Sequence, residues 1–372
     1  MVATSQLPDG GRFVALDSWR GIAALAVVAF HVQVNGLAFS STIVGNAGAA
    51  VDFFFVLSGF VISAAYGSRL AGGFSLARFM TLRLGRVYPL HLLVLALYVA
   101  AELAKLPLRQ AGLDFAAPFT ARSDPGDLAL TALLMQVFVV PTPLHWSPAS
   151  WSIAVEIWLY LVAAAAWRLL GPRTWIAALF VSLGALTVIS GQDWLPAINR
   201  DLLRGFAGFG LGMVCWHLWS RGLEKAWRQA PAAAALGMEA LAVGLVLGAL
   251  ALSMPLPVID FAFAFLVLAF AADRGALSRL LARAPFVWIG VLSYSIYLVH
   301  LLVLLSVRTL LRALAPAPDL LVSTLAAVAV FGLTIAAAYI TWRVVESPAR
   351  NWSRRRAAAM GAGPEERAAP TI

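Results

Sequence analysis

Residues 20–31 read RGIAALAVVAFH and decide the fold class of the chain. An arginine opens this apolar run and a histidine closes it. Similar apolar runs recur through all 372 residues, of which 61% are hydrophobic and 12% charged, and the mean hydropathy is +0.85. A soluble domain cannot bury so large an apolar fraction. The chain contains repeated apolar runs of 17 or more residues, and this length is typical of membrane-spanning helices. The sequence therefore predicts an all-α polytopic integral membrane protein.

The distribution of charge indicates how many of these runs cross the membrane. We predict ten membrane-spanning helices, over residues 21–38, 47–66, 87–104, 150–170, 175–190, 203–220, 233–252, 258–272, 287–307 and 320–345. With both termini cytoplasmic, ten crossings place most of the 27 lysine and arginine residues in inner loops, as membrane proteins prefer. An eleventh crossing at 127–140 would move the later basic loops outside. We therefore predict that residues 127–140 form a short re-entrant or interfacial segment.

The net charge and the single cysteine exclude other classes of protein. The charge of +9 follows from the basic inner loops, so it does not indicate a nucleic-acid partner. Cys215 has no second cysteine with which to form an intramolecular disulfide. Residues 1–350 are predicted to form one membrane domain, and residues 351–372 a flexible basic cytoplasmic tail.

Two ionisable residues, His31 and Asp52, fall within the first two predicted spans, and Arg20 directly precedes the first. Ionisable groups in a bilayer are costly and usually mark functional sites. Arg20 and His31 are about three helical turns apart, so they share one face, and His31 is expected about 16 Å from Arg20, near the middle of the membrane. Asp52 lies near the outer end of the second span, with the His31 imidazole as its expected partner. The alternative is that these groups only stabilise helix packing.

A pair of arginines closes the inner loop before the third predicted span. Arg83 and Arg86 are three residues apart and lie on one face if the helix extends that far. Two guanidinium groups can bind phosphates through paired hydrogen bonds. The alternative is that they are ordinary charges that set the topology.

A second polar group is expected in the outer half of the membrane. Ser152 and Glu156 lie on one stripe of the fourth span, with Glu156 about 9 Å from the outer surface. A glutamate there can orient an imidazole or act as a base, or it can pair structurally with another helix. Tyr297 and His300 share a face of the ninth span at a similar depth. The sequence has no spacing typical of a metal site, a phosphate-binding loop or a dinucleotide site, which predicts no metal and a diffusible small-molecule donor.

Six motifs occur in an order that resembles one family. They are LDSWRGIAALAVVAFH (16–31), FFFVLSGFVIS (53–63), RLGRVYP (83–89), WSIAVEIWLY (151–160), SYSIYLVH (293–300) and VVESP (344–348). Together they resemble the acyltransferase-3 family of bacterial integral membrane O-acyltransferases over residues 12–350. Some members carry an added SGNH-type esterase domain. This sequence is expected to be a stand-alone member without one.

The resemblance implies an activity and a place in the cell. It implies a ten-helix enzyme of the bacterial inner (cytoplasmic) membrane that moves acetyl from cytoplasmic acetyl-CoA to a hydroxyl of an extracytoplasmic carbohydrate, such as a polysaccharide or lipopolysaccharide. By position in the motifs, His31 would be the catalytic histidine and Arg20 its motif partner. Arg83 and Arg86 would help to hold the CoA donor.

These considerations predict a site with three sets of residues. The catalytic set is His31, Glu156, Asp52 and Arg20; the donor-binding set is Arg83, Arg86, Ser58 and Tyr88; the acceptor-binding set is His300, Tyr297 and Ser152. Asp52 or Glu156 would orient the imidazole, as a carboxylate does in hydrolytic triads. His31 would act as a general base or as a nucleophile.

The predicted partners are an acyl-CoA, a carbohydrate acceptor and the lipid bilayer. Within the enzyme interpretation, succinyl remains open as the transferred group in place of acetyl. Two other classes also stay open at this point. The first is a transporter of a lipid-linked sugar or small anion, and the second is a structural membrane subunit.

Overall fold

The computed structural model describes residues 13–36, 41–110, 119, 124–139, 146–190, 199–315 and 318–361. Within these ranges the chain forms helices joined by turns and contains no strand. The helices of eight or more residues are α1 (Val14–Val34), α2 (Ala50–Ile62), α3 (Leu76–Gln110), α4 (Pro125–Ala132), α5 (Ser150–Leu170), α6 (Thr174–Ser190), α7 (Arg200–Leu218), α8 (Ala232–Ala251), α9 (Leu256–Phe270), α10 (Ala284–Leu314), α11 (Leu320–Thr341) and α12 (Ser347–Ala359). The shorter helices are Thr42–Gly45, Ser68–Ala71, Glu224–Gln229 and Ala276–Leu281.

The helices make this chain a multi-pass membrane protein. Seven helical runs of the described residues are long and apolar enough to cross a bilayer: Val14–Val34, Ala47–Ala71, Leu76–Gln110, Ser150–Ser190, Ala232–Ala251, Ala284–Leu314 and Leu320–Ala359. The run Ser150–Ser190 contains two helices, α5 and α6, because the chain turns at Gly171, whose φ of +53° lies in the left-handed region. Each of the ten predicted spans overlaps one helix of the structure. The count of ten crossings and the cytoplasmic termini stay predictions.

The segment predicted to be re-entrant or interfacial contains the short helix α4. Eight residues extend about 12 Å, which is too short to cross a hydrocarbon core of about 30 Å. The Tyr88 hydroxyl donates to the Ala132 carbonyl at 2.9 Å, and His91 Nε2 donates to the Thr131 carbonyl at 2.9 Å. These bonds fix the carboxyl end of α4 on α3.

Helix α1 begins earlier than its apolar run because a distant carboxylate caps it. The first N–H groups of a helix lack partners within the helix. The N–H groups of Val14 and Ala15 donate to the two Asp273 oxygens at 2.9 and 2.8 Å, and Asp273 lies in the turn after α9. Helix α1 ends at Val34, and His31 lies in its last turn.

Helices α1 and α10 are parallel and touch through two glycines. A Cβ added to Gly21 would lie 2.6 Å from the Gly290 nitrogen, and one added to Gly290 would lie 2.2 Å from the Asp17 carbonyl oxygen. Such distances leave room only for glycine. Ten residues further along each helix, His31 contacts His300. The glycine contact therefore fixes the relative position of the two helices.

A second glycine contact joins α2 to α7. A Cβ on Gly59 would lie 2.0 Å from the Phe209 carbonyl oxygen, and one on Gly212 would lie 2.0 Å from that of Val56. Small residues let helix backbones approach in a membrane. This approach brings the polar side chains of α7 against α2.

The carboxyl end of the described chain is helical. Helix α11 continues through a π-helical turn, Trp342–Glu346, into α12. The side chain of Arg78 donates from Nε to the Ala357 carbonyl at 3.1 Å, and a Cβ on Gly85 would lie 2.2 Å from Ser353 Cβ. Helix α12 thus packs closely on α3. Residues 351–359 of the predicted tail belong to this helix, and residues 362–372 lie outside the described part.

We expect Gly290→Ala to destabilise the protein because its Cβ would overlap the α1 backbone. Overpacking of this kind costs about 1–3 kcal/mol. Gly332→Ala in α11 is the matched control, since nothing lies within 4 Å of an added Cβ there. Thermal unfolding in detergent should show a lower midpoint for Gly290→Ala and little change for Gly332→Ala. Equal midpoints would contradict the close contact between α1 and α10.

Candidate active site

A cavity with about 920 Å³ of empty space lies among α1, α2, α3, α5 and α10. Its polar and ionisable lining side chains are Asp17, Arg20, Ser58, Arg83, Arg86, Ser152, Glu156, Tyr160, Ser293, Tyr294 and Tyr297. Seven of the eleven predicted site residues are among them. The other four predicted residues, His31, Asp52, Tyr88 and His300, do not line it.

Contacts along α2 give the length of this cavity. The Phe54 ring lies 5.9 Å from the Tyr297 ring. One turn further, Ser58 contacts Glu156, and beyond the end of α2 the Tyr66 hydroxyl accepts a hydrogen bond from Arg83. Twelve residues of helix extend roughly 18 Å. The arginine end and the Tyr297 end are therefore about that distance apart, with Glu156 between them.

Glu156 is held by two hydroxyl groups. Ser58 Oγ donates to Glu156 Oε1 at 2.7 Å, and the Tyr160 hydroxyl donates to the same oxygen at 2.5 Å. Ser58 and Tyr160 also contact each other at 2.9 Å. Among the described residues Oε2 has no hydrogen-bond partner, so one carboxylate oxygen is available to the cavity. The three side chains join α2 to α5 and fix the direction of the carboxylate.

The arginine end of the cavity carries three cations. Arg83 donates from Nη2 to the Tyr66 hydroxyl at 3.0 Å, and its guanidinium carbon lies 4.8 Å from the centre of the Tyr66 ring. Its Nε atom is buried and has no hydrogen-bond partner among the described residues. Arg20 lies 3.5 Å from Asp17, and Arg86 lines the same wall. This concentration of guanidinium groups suits an anionic ligand.

Asp52 is paired with an arginine rather than with His31. Arg204 donates from Nε to Oδ1 at 3.1 Å and from Nη2 to Oδ2 at 2.8 Å, and Asp52 is 0% exposed. The Arg204 guanidinium also lies 4.8 Å from the centre of the Trp151 ring. The expectation that Asp52 binds His31 is wrong, because the glycine contact between α2 and α7 supplies a nearer and oppositely charged group. The carboxylates that line the cavity are Asp17 and Glu156.

Two residues of the predicted site lie elsewhere than expected. Tyr88, predicted to bind the donor, instead donates a hydrogen bond from its hydroxyl to the Ala132 carbonyl of α4. His300, predicted to bind the acceptor, is 1% exposed and lies beside His31, with 3.2 Å between His300 Nε2 and His31 Nδ1. Tyr297 joins this pair to the cavity, since its ring lies 5.8 Å from that of His300 and its hydroxyl accepts from Ser152 at 2.8 Å.

Sequence reasoning missed two polar residues, Arg204 and Glu346. Arg204 is the second residue of the predicted span 203–220, and this position was a signal of burial. Glu346, within the VVESP motif, is buried and accepts from Ser295 at 2.8 Å, with Arg350 at 3.4 Å. No group of three or more potential metal ligands occurs among the residues the structure describes.

Comparison with known proteins places the chain in a family. It matches the acyltransferase domain of the acyltransferase-3 family over residues 13–343, so it belongs to that family of membrane O-acyltransferases. It is 35% identical over 194 residues to "Protein 2 in picA locus" of Rhizobium radiobacter, an overlap of 52% of this chain and 93% of that protein. No solved structure matches it.

We expect Arg204→Ala to destabilise the fold strongly, because it leaves the Asp52 carboxylate buried without its partner. Loss of one member of a buried pair costs about 3–5 kcal/mol. Arg228→Ala is the control, since its pair with Glu224 is exposed and such pairs contribute at most about 1 kcal/mol. Thermal unfolding in detergent measures both.

The double variant Asp52→Leu/Arg204→Met tests whether the pair acts structurally. Replacing both charges with apolar groups should recover most of the stability lost in Arg204→Ala. A double variant as unstable as Arg204→Ala would contradict this account.

Proposed function

We propose that this acyltransferase moves acetyl from cytoplasmic acetyl-CoA to a hydroxyl of an extracytoplasmic carbohydrate. One observation carries the proposal. A single cavity has three arginines at one end, a carboxylate in its middle, and the Ser152–Tyr297 pair beside two histidines at the other end. The end with the arginines suits a donor that carries phosphates, and the end with the two hydroxyl groups suits a neutral hydroxyl acceptor.

The donor fits the arginine end. Arg83 and Arg86 offer charge-assisted hydrogen bonds to the phosphates of CoA, and the basic inner loops favour the cytoplasm for this end. The pantetheine arm of CoA is similar in length to the roughly 18 Å between the two ends of the cavity. The thioester can then reach Glu156 and Tyr297 while the phosphates stay at the mouth.

The reaction is an O-acyl transfer with two possible routes. In the first, His31 takes the proton of the acceptor hydroxyl as that oxygen bonds to the acyl carbon, the carbon–sulfur bond breaks, and the thiolate receives the proton. In the second, His31 attacks the acyl carbon and expels the thiolate, and the acceptor hydroxyl then takes the acyl group from the imidazole. Glu156 is half-buried and faces the cavity between its two ends, beside the place where the thioester would react.

The proposed binding site of the acceptor is the end of the cavity formed by Ser152 and Tyr297. Both hydroxyl groups can exchange hydrogen bonds with a sugar hydroxyl. Because the arginines occupy the opposite end, the two substrates approach from opposite sides of the bilayer. This arrangement supports a carbohydrate outside the cytoplasm as the acceptor.

We expect Glu156→Gln to lower kcat by about 100-fold or more, since it removes a charge beside the reacting groups, while Tyr160→Phe should cause a smaller loss. The assay follows labelled acetyl from acetyl-CoA into a crude envelope-glycan extract in membrane vesicles. Glu224→Gln is the control because Glu224 lies on an exposed helix outside the cavity. Full transfer by Glu156→Gln at equal protein level would contradict the proposed role of Glu156.

We expect Arg83→Ala and Arg86→Ala to raise KM for acetyl-CoA about tenfold, because each removes a charge-assisted contact with phosphate. Acetyl-pantetheine, which lacks the CoA phosphates, should give the same KM with wild type and with both variants. Arg312→Ala is the control, since Arg312 lies in the last turn of α10 outside the cavity. An unchanged KM for acetyl-CoA would place the phosphates elsewhere.

Succinyl-CoA measured in the same assay separates the acetyl and succinyl alternatives. Both donors share the CoA portion, so Arg86→Ala should affect KM equally for the two. The larger kcat/KM in wild type identifies the preferred acyl group.

A further inference from the structure

We infer that His300 is a positioning residue that, together with the Val27 carbonyl, fixes the tautomer of His31, so that Nε2 of His31 keeps its lone pair free for the substrate. This inference rests on the proposed function for its chemical meaning. Its geometric basis is independent of that function and lies in the contacts of the two imidazole rings.

The first observation is the close approach of the two rings. His31 Nδ1 lies 3.2 Å from His300 Nε2, and the ring centres are 4.9 Å apart. This contact follows from the packing of α1 on α10. Gly21 touches Gly290, the helices are parallel, and each histidine lies ten residues beyond its glycine. Helices with equal rise bring those two positions together.

The second observation fixes the proton on His300. Its Nδ1 atom lies 2.5 Å from the Tyr297 carbonyl oxygen. A carbonyl oxygen only accepts, so Nδ1 carries the proton and donates it. In a neutral imidazole the other nitrogen is then an acceptor. His300 Nε2 therefore directs a lone pair at His31.

The third observation fixes the proton on His31. Its Nδ1 atom lies 2.9 Å from the Val27 carbonyl oxygen as well as 3.2 Å from His300 Nε2. Both neighbours are acceptors, so His31 Nδ1 must carry a proton, which it shares between them. The opposite tautomer would direct three lone pairs at one another in a buried place. Nε2 of His31 is therefore the unprotonated nitrogen.

This assignment gives His300 the place that a carboxylate holds in hydrolytic triads. The two carboxylates expected there are occupied elsewhere, since Asp52 is paired with Arg204 and Glu156 with Ser58 and Tyr160. A neutral acceptor orients the imidazole without holding a fixed negative charge against it. His31 is half-buried and His300 is buried, so His31 is the more accessible member of the pair.

The kinetic test compares His300→Ala with His300→Gln. Glutamine offers an amide oxygen that can accept from His31 Nδ1, whereas alanine offers none. We expect kcat to fall at least about tenfold in His300→Ala and to recover partly in His300→Gln, with KM for the glycan extract unchanged in both. The pH–rate profile should also shift in His300→Ala. His217→Ala, which removes a histidine stacked on Trp175 outside the cavity, is the control.

Three kinetic outcomes overturn the inference. A higher KM for glycan at constant kcat would make His300 an acceptor-binding residue. Equal losses in His300→Ala and His300→Gln would show that the hydrogen bond is irrelevant. Normal transfer by His300→Ala would show that His31 needs no such partner.

A spectroscopic test does not depend on activity. In nitrogen-15 spectra of histidine-labelled protein in detergent, with His31 assigned through His31→Gln, we expect Nδ1 of His31 to be protonated and Nε2 unprotonated. In His300→Ala only the Val27 carbonyl accepts from Nδ1, so we expect the tautomer protonated at Nε2 to be more populated than in wild type. A wild-type His31 protonated at Nε2 would refute the inference. If wild type transferred no acetyl while these spectra were as expected, the proposed function alone would fail.

Discussion

The contact between Gly21 and Gly290 is the constraint on which the candidate site depends. A membrane gives no hydrophobic driving force between helices, so close backbone packing has to hold them together. Because neither glycine has a Cβ, α1 and α10 meet backbone to backbone. Because the two helices have the same rise per residue, this contact determines which residues lie opposite each other further along them. Arg20 and Tyr294 reach the cavity, and the two histidines meet ten residues beyond the glycines.

The two carboxylates Asp52 and Glu156 differ in the hydrogen-bond partners that they have. Asp52 uses both oxygens on Arg204, and burial of this carboxylate is tolerated because an opposite charge binds it through two hydrogen bonds. Glu156 binds two hydroxyl groups through a single oxygen and leaves its other oxygen toward the cavity. This difference supports a structural role for Asp52 and the proposed role of Glu156 in the reaction.

The sequence predicted the positions of helices more accurately than it predicted which side chains contact one another. Each of the ten predicted spans overlaps a helix, because long apolar runs favour helices that match the thickness of the bilayer. Seven predicted residues line one cavity, since polar side chains at membrane depth are rare enough to mark it. The partner of Asp52 was missed because it lies 152 residues away in the chain. Helix spacing says nothing about which distant helix packs alongside.

The sequence by itself determined the membrane class, the helical segments, the family motifs and the residue types of the site, because these depend on composition and on local spacing. Only the tertiary structure decided where α1 begins, since its cap is Asp273, more than 250 residues away. It also decided that the predicted tail continues as α12 on α3, because a glycine at position 85 leaves space for Ser353. The pairing of His31 with His300 depends on helix packing in the same way, as the physical contact between two helices is a property of the folded chain.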